Sequence, residues 1–264
     1  MQTHPGRSWK PLVVIGAALL CLTGCGVVEL GSEATETWTK HYTLDKGGEI
    51  AIRNTNGKIE VVAGDGDAVD VVATKVARGM SDDAAKDTLK QMSIKESVSS
   101  NRISLESQYE SVGFSLTASR RVDYVVHLPR WANVDLRSTN GEQRVSDLGG
   151  LMKASTTNGT IDGEGLTGSA RASATNGRIR IGFAKLGGGD ISCDTTNGQI
   201  ALTLPTDAKA SLSASVTNGS ISTEGITLSV SEKSRRRLEG TLNGGGGPQI
   251  RLETTNGSIG VKGR

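Results

Sequence analysis

Aromatic side chains make up only 3% of the 264-residue chain, and its formal net charge is +2. Those two scarcities argue against nucleic-acid binding, which draws on base stacking and a basic face. Cysteine occurs three times, at Cys21, Cys25 and Cys193, too sparsely for a disulfide-stapled scaffold. The chain has no G-x-S-x-G elbow, no H-E-x-x-H and no P-loop, so three common catalytic or phosphate-binding signatures are missing. What is present is 35 glycines and 35% apolar residues placed with a strict period, which excludes a disordered chain. The length suits one large domain or two small ones.

The N-terminus reads as a processing signal. Arg7 and Lys10 precede an apolar run over residues 12–22, which is shorter than the ~20 residues that span a bilayer core. A basic start, a short apolar core and small residues after it match a secretory signal. Leu22-Thr23-Gly24-Cys25 resembles the bacterial lipobox, in which the signal is cut before a cysteine that receives diacylglyceryl. Cleavage there leaves 28 basic against 28 acidic residues, a neutral mature chain. One acyl chain anchors a protein only marginally. The lipoprotein resemblance implies three on Cys25, palmitate among them, and thus a durable membrane partner. Gly26, and not Asp, follows Cys25, which favours an outer-membrane address in a Gram-negative cell.

The rest of the chain repeats itself. Thr-Asn-Gly occurs seven times, centred on Asn56, Asn140, Asn158, Asn176, Asn197, Asn218 and Asn256, and the middle five lie 18, 18, 21 and 21 residues apart. The residues six and four before each asparagine are apolar in all fourteen cases: Ile50/Ile52, Val134/Leu136, Met152/Ala154, Ala170/Ala172, Ile191/Cys193, Leu212/Ala214 and Ile250/Leu252. Three residues after it stand Ile59, Ile161, Ile179, Ile200, Ile221 and Ile259, with Gln143 the one exception. Alternation of this kind marks half-buried strands, so each unit is a strand, a tight corner and a second strand.

Asn-Gly suits the corner because both residues tolerate positive φ. The same unit serves an antiparallel meander of hairpins or a β-solenoid whose coils stack like residues in ladders. Near-constant spacing and an identical corner in every copy favour the solenoid. A hairpin accepts any Asn-Gly or Asp-Gly, whereas stacking rewards the same asparagine in each coil. The expected fold is therefore all-β, a single-domain solenoid like a right-handed parallel β-helix.

Two insertions interrupt the array. The first contains residues 81–92, where Ser81 can cap, Asp82 and Asp83 suit a helix N-terminus, and Ala85, Leu89 and Met92 fall at helical spacing. One short helix is expected, flanked by strands at 69–76, 92–97, 103–109 and 122–128. The second insertion, holding Ser234-Arg235-Arg236-Arg237 and a run of four glycines, reads as a protruding strand-loop excursion. The chain thus divides into a signal segment 1–24, a lipidated N-terminus and tether 25–44, and a repeat domain 45–264.

With the lipobox, the T-N-G-x-I coils and the strand Val122-Asp123-Tyr124-Val125-Val126-His127-Leu128-Pro129 in place, the chain resembles the "putative adhesin" family known as domain of unknown function 4097, DUF4097. The likeness covers residues 45–264. Gln143 departs from the pattern, which puts the packing of its coil in question. The resemblance implies a β-solenoid and an envelope or surface role, and it brings no catalytic residues.

The remaining chemistry is sparse. His41 and His127 lack Cys, His or Asp neighbours at metal-ligand spacing, so no metal and no cofactor is expected. Cys193 occupies an inward repeat position and reads as a small core residue. Arg235, Arg236 and Arg237 could contact an anionic headgroup or a phosphate-bearing glycan, with a solvated loop as the plainer reading. Asp162, Glu164, Arg178, Arg180 and Asp190 lie in adjoining coils, where a polysaccharide-cleaving β-helix would gather its acids and bases. The function expected is that of a non-catalytic, lipid-anchored envelope protein that binds a glycan or another envelope protein. A periplasmic scaffold or sensor, and a polysaccharide-active enzyme on the same fold, are the alternatives.

Overall fold

The computed structural model describes residues 31–110 and 119–264. Residues 1–24, read above as a signal, and Cys25 lie outside the described residues. In chain order the elements are β1 (Ser32–Thr43), β2 (Glu49–Asn56), β3 (Ile59–Gly64), β4 (Ala68–Gly79), helix α1 (Asp82–Lys90), β5 (Met92–Ser99), β6 (Arg102–Tyr109) and β7 (Ser119–Pro129). A regular run follows: β8 (Asn133–Asn140), β9 (Gln143–Ser146), β10 (Met152–Asn158), β11 (Ile161–Leu166), β12 (Ala170–Asn176), β13 (Ile179–Phe183), β14 (Ile191–Asn197) and β15 (Ile200–Leu204). The last are β16 (Ala210–Glu224), β17 (Leu228–Lys233), β18 (Arg237–Leu242) and β19 (Gln249–Gly263).

The coils stack in parallel, as a solenoid and not as a meander. Strands before the corner form one ladder, in the order β5, β6, β2, β8, β10, β12, β14, the first half of β19, the first half of β16, β18 and β17. Strands after it form a second, in the order β1, β4, β7, β3, β9, β11, β13, β15, then the second halves of β19 and β16. Inward residues of both ladders share one hydrophobic core. All fourteen apolar positions before the corners are buried. Burial stabilises by ~25 cal/mol per Å² of apolar surface, and no single coil has a second side against which to bury that face.

The order of the coils departs from the order of the sequence. The coil centred on Asn256 lies between those of Asn197 and Asn218, because β19 pairs with β14 and β15 on one side and β16 on the other. Composition explains the exchange. Ile250, Leu252, Ile259 and Val261 are all fully buried, whereas the matching set in β16 is Leu212, Ala214, Ile221 and Thr223, of which Ile221 is half-buried and Thr223 exposed. A coil with threonine at an inward position costs least at the end of the stack.

Four other expectations are refined. Within the tether expected over residues 25–44, Ser32–Thr43 is an edge strand paired over its whole length with β4. An edge strand half-buried on one face carries a weak alternation, here blurred by Glu36 and Lys40, and its β-favouring residues Thr35, Thr37, Trp38, Thr39 and Tyr42 were the better signal. The helix forms with Ser81 as its cap, accepting a hydrogen bond from the Ala84 amide at 3.3 Å, and ends at Lys90, so that Met92 opens the strand expected at 92–97. Gln143 is fully buried among Ile59 and Ile161 and packs by donating from Nε2 to Ser138 Oγ at 2.8 Å and to the Ser155 carbonyl at 2.7 Å. The second insertion is no loose excursion: β18 joins the first ladder beside β16, burying Leu238 and Leu242, and β17 forms its outer edge.

At the Ser32 end the two ladders are tied together. Lys40 Nζ and Tyr42 Oη on β1 both reach Glu96 on β5, at 3.2 and 2.7 Å, and Trp38 and Tyr42 pack on the core beneath.

Candidate functional site

The seven corners form a single line along the stack. Each asparagine donates from Nδ2 to Oδ1 of the one before it: Asn140 to Asn56 at 2.8 Å, Asn158 to Asn140 at 2.9 Å, Asn176 to Asn158 at 3.0 Å and Asn197 to Asn176 at 2.9 Å. Asn256 then donates to Asn197 at 2.8 Å and Asn218 to Asn256 at 2.9 Å. The line begins where Asn56 Nδ2 donates to the Arg120 carbonyl at 3.2 Å. Backbone bonds run in the opposite sense, from the amide of Gly57, Gly141, Gly159, Gly177 and Gly198 to the carbonyl of the asparagine in the next coil, at 2.9–3.1 Å. Five of the corners are thus joined to the next coil by one side-chain and one main-chain bond.

The residue types follow from that geometry. Parallel strands stack ~4.8 Å apart, which lets equal side-chain amides bond coil to coil. The corner glycine is required by close approach more than by φ. A Cβ on Gly177 would lie 1.7 Å from the Gly159 carbonyl oxygen, and one on Gly219 would lie 1.6 Å from that of Gly257. The threonine before each asparagine is exposed in all seven copies, so hydroxyl and amide rows run side by side on the outside. Replacing Asn197 by alanine removes a donor and an acceptor at once. The expected loss is about 1 kcal/mol, because both bonds are solvent-exposed and each nets little. Thermal unfolding of the purified variant checks it, and an unchanged midpoint would mean that the line carries no stability.

The other candidates scatter. Arg237 is engaged by Glu232 at 3.3 Å and Glu239 at 2.6 Å, leaving Arg235 and Arg236 exposed and without an ion-pair partner among the described residues. They occupy the β17–β18 turn, where Ser234 Oγ accepts from the Arg236 and Arg237 amides. Asp162 is held on both oxygens by Arg180, at 2.6 and 2.7 Å, beside a depression of ≈490 Å³ also lined by Arg144, Glu164, Thr203 and Arg264. Asp190 is not part of it, since its carboxylate accepts from the Gln249 amide on the other ladder, and Arg178 points to solvent. Both Asp162 oxygens are taken up by Arg180 on the neighbouring strand, so the pair serves as a cross-strand tie.

Cys193 is buried between Ala172 and Leu252, and burial pushes its thiol up to about 12. His41 belongs to β1, where its Nδ1 meets Asp70 at 2.5 Å, and His127 lies across β4 from it with Asp70 between. Among the described residues no cluster of three or more His, Cys, Asp or Glu could hold a metal ion. Tyr124 and Phe183 are buried in the core. Reasoning from sequence missed the Arg120 carbonyl that starts the asparagine line, because nothing local marks a residue 64 positions away as its neighbour.

A family model described as Toastrack DUF4097 matches residues 86–262. No curated protein matches the sequence. Among solved structures, a "putative cell adhesion protein" from Clostridium sporogenes is similar at 13% identity and a TM-score of 0.49, over 88% of this chain and 100% of that one. A "putative adhesin" from Bacteroides fragilis is similar at 11% identity and a TM-score of 0.30, covering 87% of this chain and 97% of that one. A third, from Parabacteroides merdae, has 10% identity and a TM-score of 0.28 over the same shares.

Proposed function

The chain belongs to the Toastrack DUF4097 family, and on that premise we propose that it is a lipid-anchored protein of the bacterial envelope whose stacked coils bind a glycan or another envelope protein without catalysis. The observation that carries this reading is the corner line, in which exposed threonine hydroxyls and asparagine amides repeat once per coil on a rigid two-ladder frame. Solenoids use such extended faces for recognition. The groups with the most reactive chemistry are spoken for, Asp162 by Arg180 and Cys193 by the core. Anchoring rests on Leu22-Thr23-Gly24-Cys25. No helix among the described residues is long and apolar enough to cross a membrane.

Cell fractionation tests the anchor. The wild-type chain is expected with the membranes, and Cys25→Ala in the soluble fraction; a Cys25→Ala protein that stayed with the membranes would remove the lipid from the account. Protease added to intact cells then separates surface from periplasmic placement, and a cross-linking capture from isolated envelopes that returned no protein or glycan would sink the binding role.

A further inference from the structure

The two ends of the stack are finished differently. At the Ser32 end the ladders are joined through Glu96. At the other end the first ladder runs two strands beyond β16, through β18 and β17, while the second ladder stops at β16 itself. Ser220–Glu224 therefore pairs with β19 on one side and with no described strand on the other. This leaves a step: an open strand edge below, and a two-stranded overhang beside it.

Each surface of the step points to a ligand of one kind. The open edge presents unpaired main-chain groups, which an added strand would satisfy. The asparagine line ends here as well, and Asn218 Oδ1 has no donor among the described residues, so the line accepts one more amide. Ile221 is half-buried at the edge. On the overhang, register places Leu228 opposite Leu242 and Val230 opposite Gly240, on the side that buries Leu238 and Leu242, yet Val230 is 48% exposed. Arg235 and Arg236 sit at the corner end of the same step, where the Arg236 carbonyl accepts from the Val216 amide at 2.8 Å, two residues before Asn218. At the far end the one charge on the open strand, Glu224, is paired with Lys262 at 3.2 Å.

We infer that this step is a docking slot for an extended segment of another polypeptide, apolar at alternate positions and acidic where it passes Arg235 and Arg236. Main-chain bonds to an exposed edge supply affinity in such strand addition, and alternate side chains supply selectivity. The two free guanidinium groups favour an acidic occupant. A second copy of this chain does not fit. Pairing two such edges about a two-fold axis would bring both overhangs, two strands each, over a seam only ~4.8 Å wide. The inference deepens the proposed binding role by giving it a site and a partner chemistry.

The test uses the soluble Cys25→Ala protein and a fluorescein-labelled synthetic peptide, Glu-Asp-Asn-Gly-Ser-Ile-Thr-Val, with a Lys-Lys version in place of Glu-Asp. The acidic peptide is expected to bind, to slow hydrogen exchange of the amides in residues 220–224, and to bind about tenfold more weakly to Arg235→Glu/Arg236→Glu and to Val230→Glu. Circular dichroism of both variants verifies that they remain folded. The slot is overturned if the acidic peptide shows no binding up to about 1 mM, if the Lys-Lys peptide binds equally, or if exchange slows elsewhere and not at 220–224. Self-association of the wild-type chain that Val230→Glu abolishes would also overturn it, in favour of a second copy. Failure here with successful capture from envelopes would leave the binding role intact and move it to the faces of the stack.

Discussion

Gly177→Ala is expected to lower the melting midpoint by roughly 6–12 °C or to prevent folding, taking 2–4 °C per kcal/mol for a domain of this size. The backbone of Gly177 lies outside the positive-φ window, so a side chain there meets no conformational objection. It meets a steric one, since the new Cβ would lie 1.7 Å from the Gly159 carbonyl oxygen. Neither partner can yield cheaply. The Gly159 amide and the Gly177 amide are both bonded to the asparagine carbonyl of the next coil, at 3.1 and 3.0 Å, and parting the coils by the required distance breaks the Asn158–Asn176–Asn197 line as well. Overpacking typically costs 1–3 kcal/mol where side chains can adjust, and a backbone contact has no rotamer to change, so about 3 kcal/mol is the floor. Gly188→Ala is the matched control, because nothing lies within 4 Å of a Cβ at that position. It should stay within about 0.5 kcal/mol of the wild type. Thermal melts of the two variants decide the matter; equal midpoints would show that the corner glycine is merely a turn preference.

Removing residues 249–264 should unfold far more than the last coil. A solenoid stacked in sequence order would lose only its end, and the remaining coils would melt nearly as before. Here β19 is the strand that joins β14 and β15 to β16, and its deletion leaves both ladders cut between Asn197 and Asn218. Ile250, Leu252, Ile259 and Val261 would be lost from the core. At ~1.5–3 kcal/mol per fully buried side chain their removal is comparable with the 5–15 kcal/mol that holds a whole domain together. Limited proteolysis of the truncated chain should therefore cut readily after residue 205. A truncated chain as resistant as the full one would mean that β16 can re-pair directly with β14 and β15.

Much of the architecture was legible because each coil declares itself locally. The inward pairs from Ile50/Ile52 to Ile250/Leu252, the isoleucines after the corners and the repeated asparagine required no knowledge of neighbours, and all sit where alternation placed them except the half-buried Ile221. The order of the coils was hidden by that same likeness, since identical corners do not say which stacks on which. One residue did carry a trace of it: Thr223 stands where Val61, Val145, Ile181, Leu202 and Val261 stand in other coils, and it is exposed where they are buried. The β1 strand was obscured by inward-facing Lys40, whose ammonium reaches Glu96 on another strand. The docking step was beyond local reasoning altogether, because an open edge is a property of the whole ladder and not of residues 220–224.

The interior place of β19 also sets the order in which the chain can be completed. A polypeptide is made from its N-terminus, and domains generally begin folding in that direction. The coils from Asn56 to Asn197 can close one upon another as they are made, each adding to the last. The coil of Asn218 cannot join them, for the strand it shares with both ladders is residues 249–263, which are made after it. Until then the growing stack ends at an unfilled seam beside β14 and β15, and the cap formed by β16, β17 and β18 waits unattached. The frame closes by a wedge that enters after the strands it joins, so the stack is continuous only once residues 249–263 have been made.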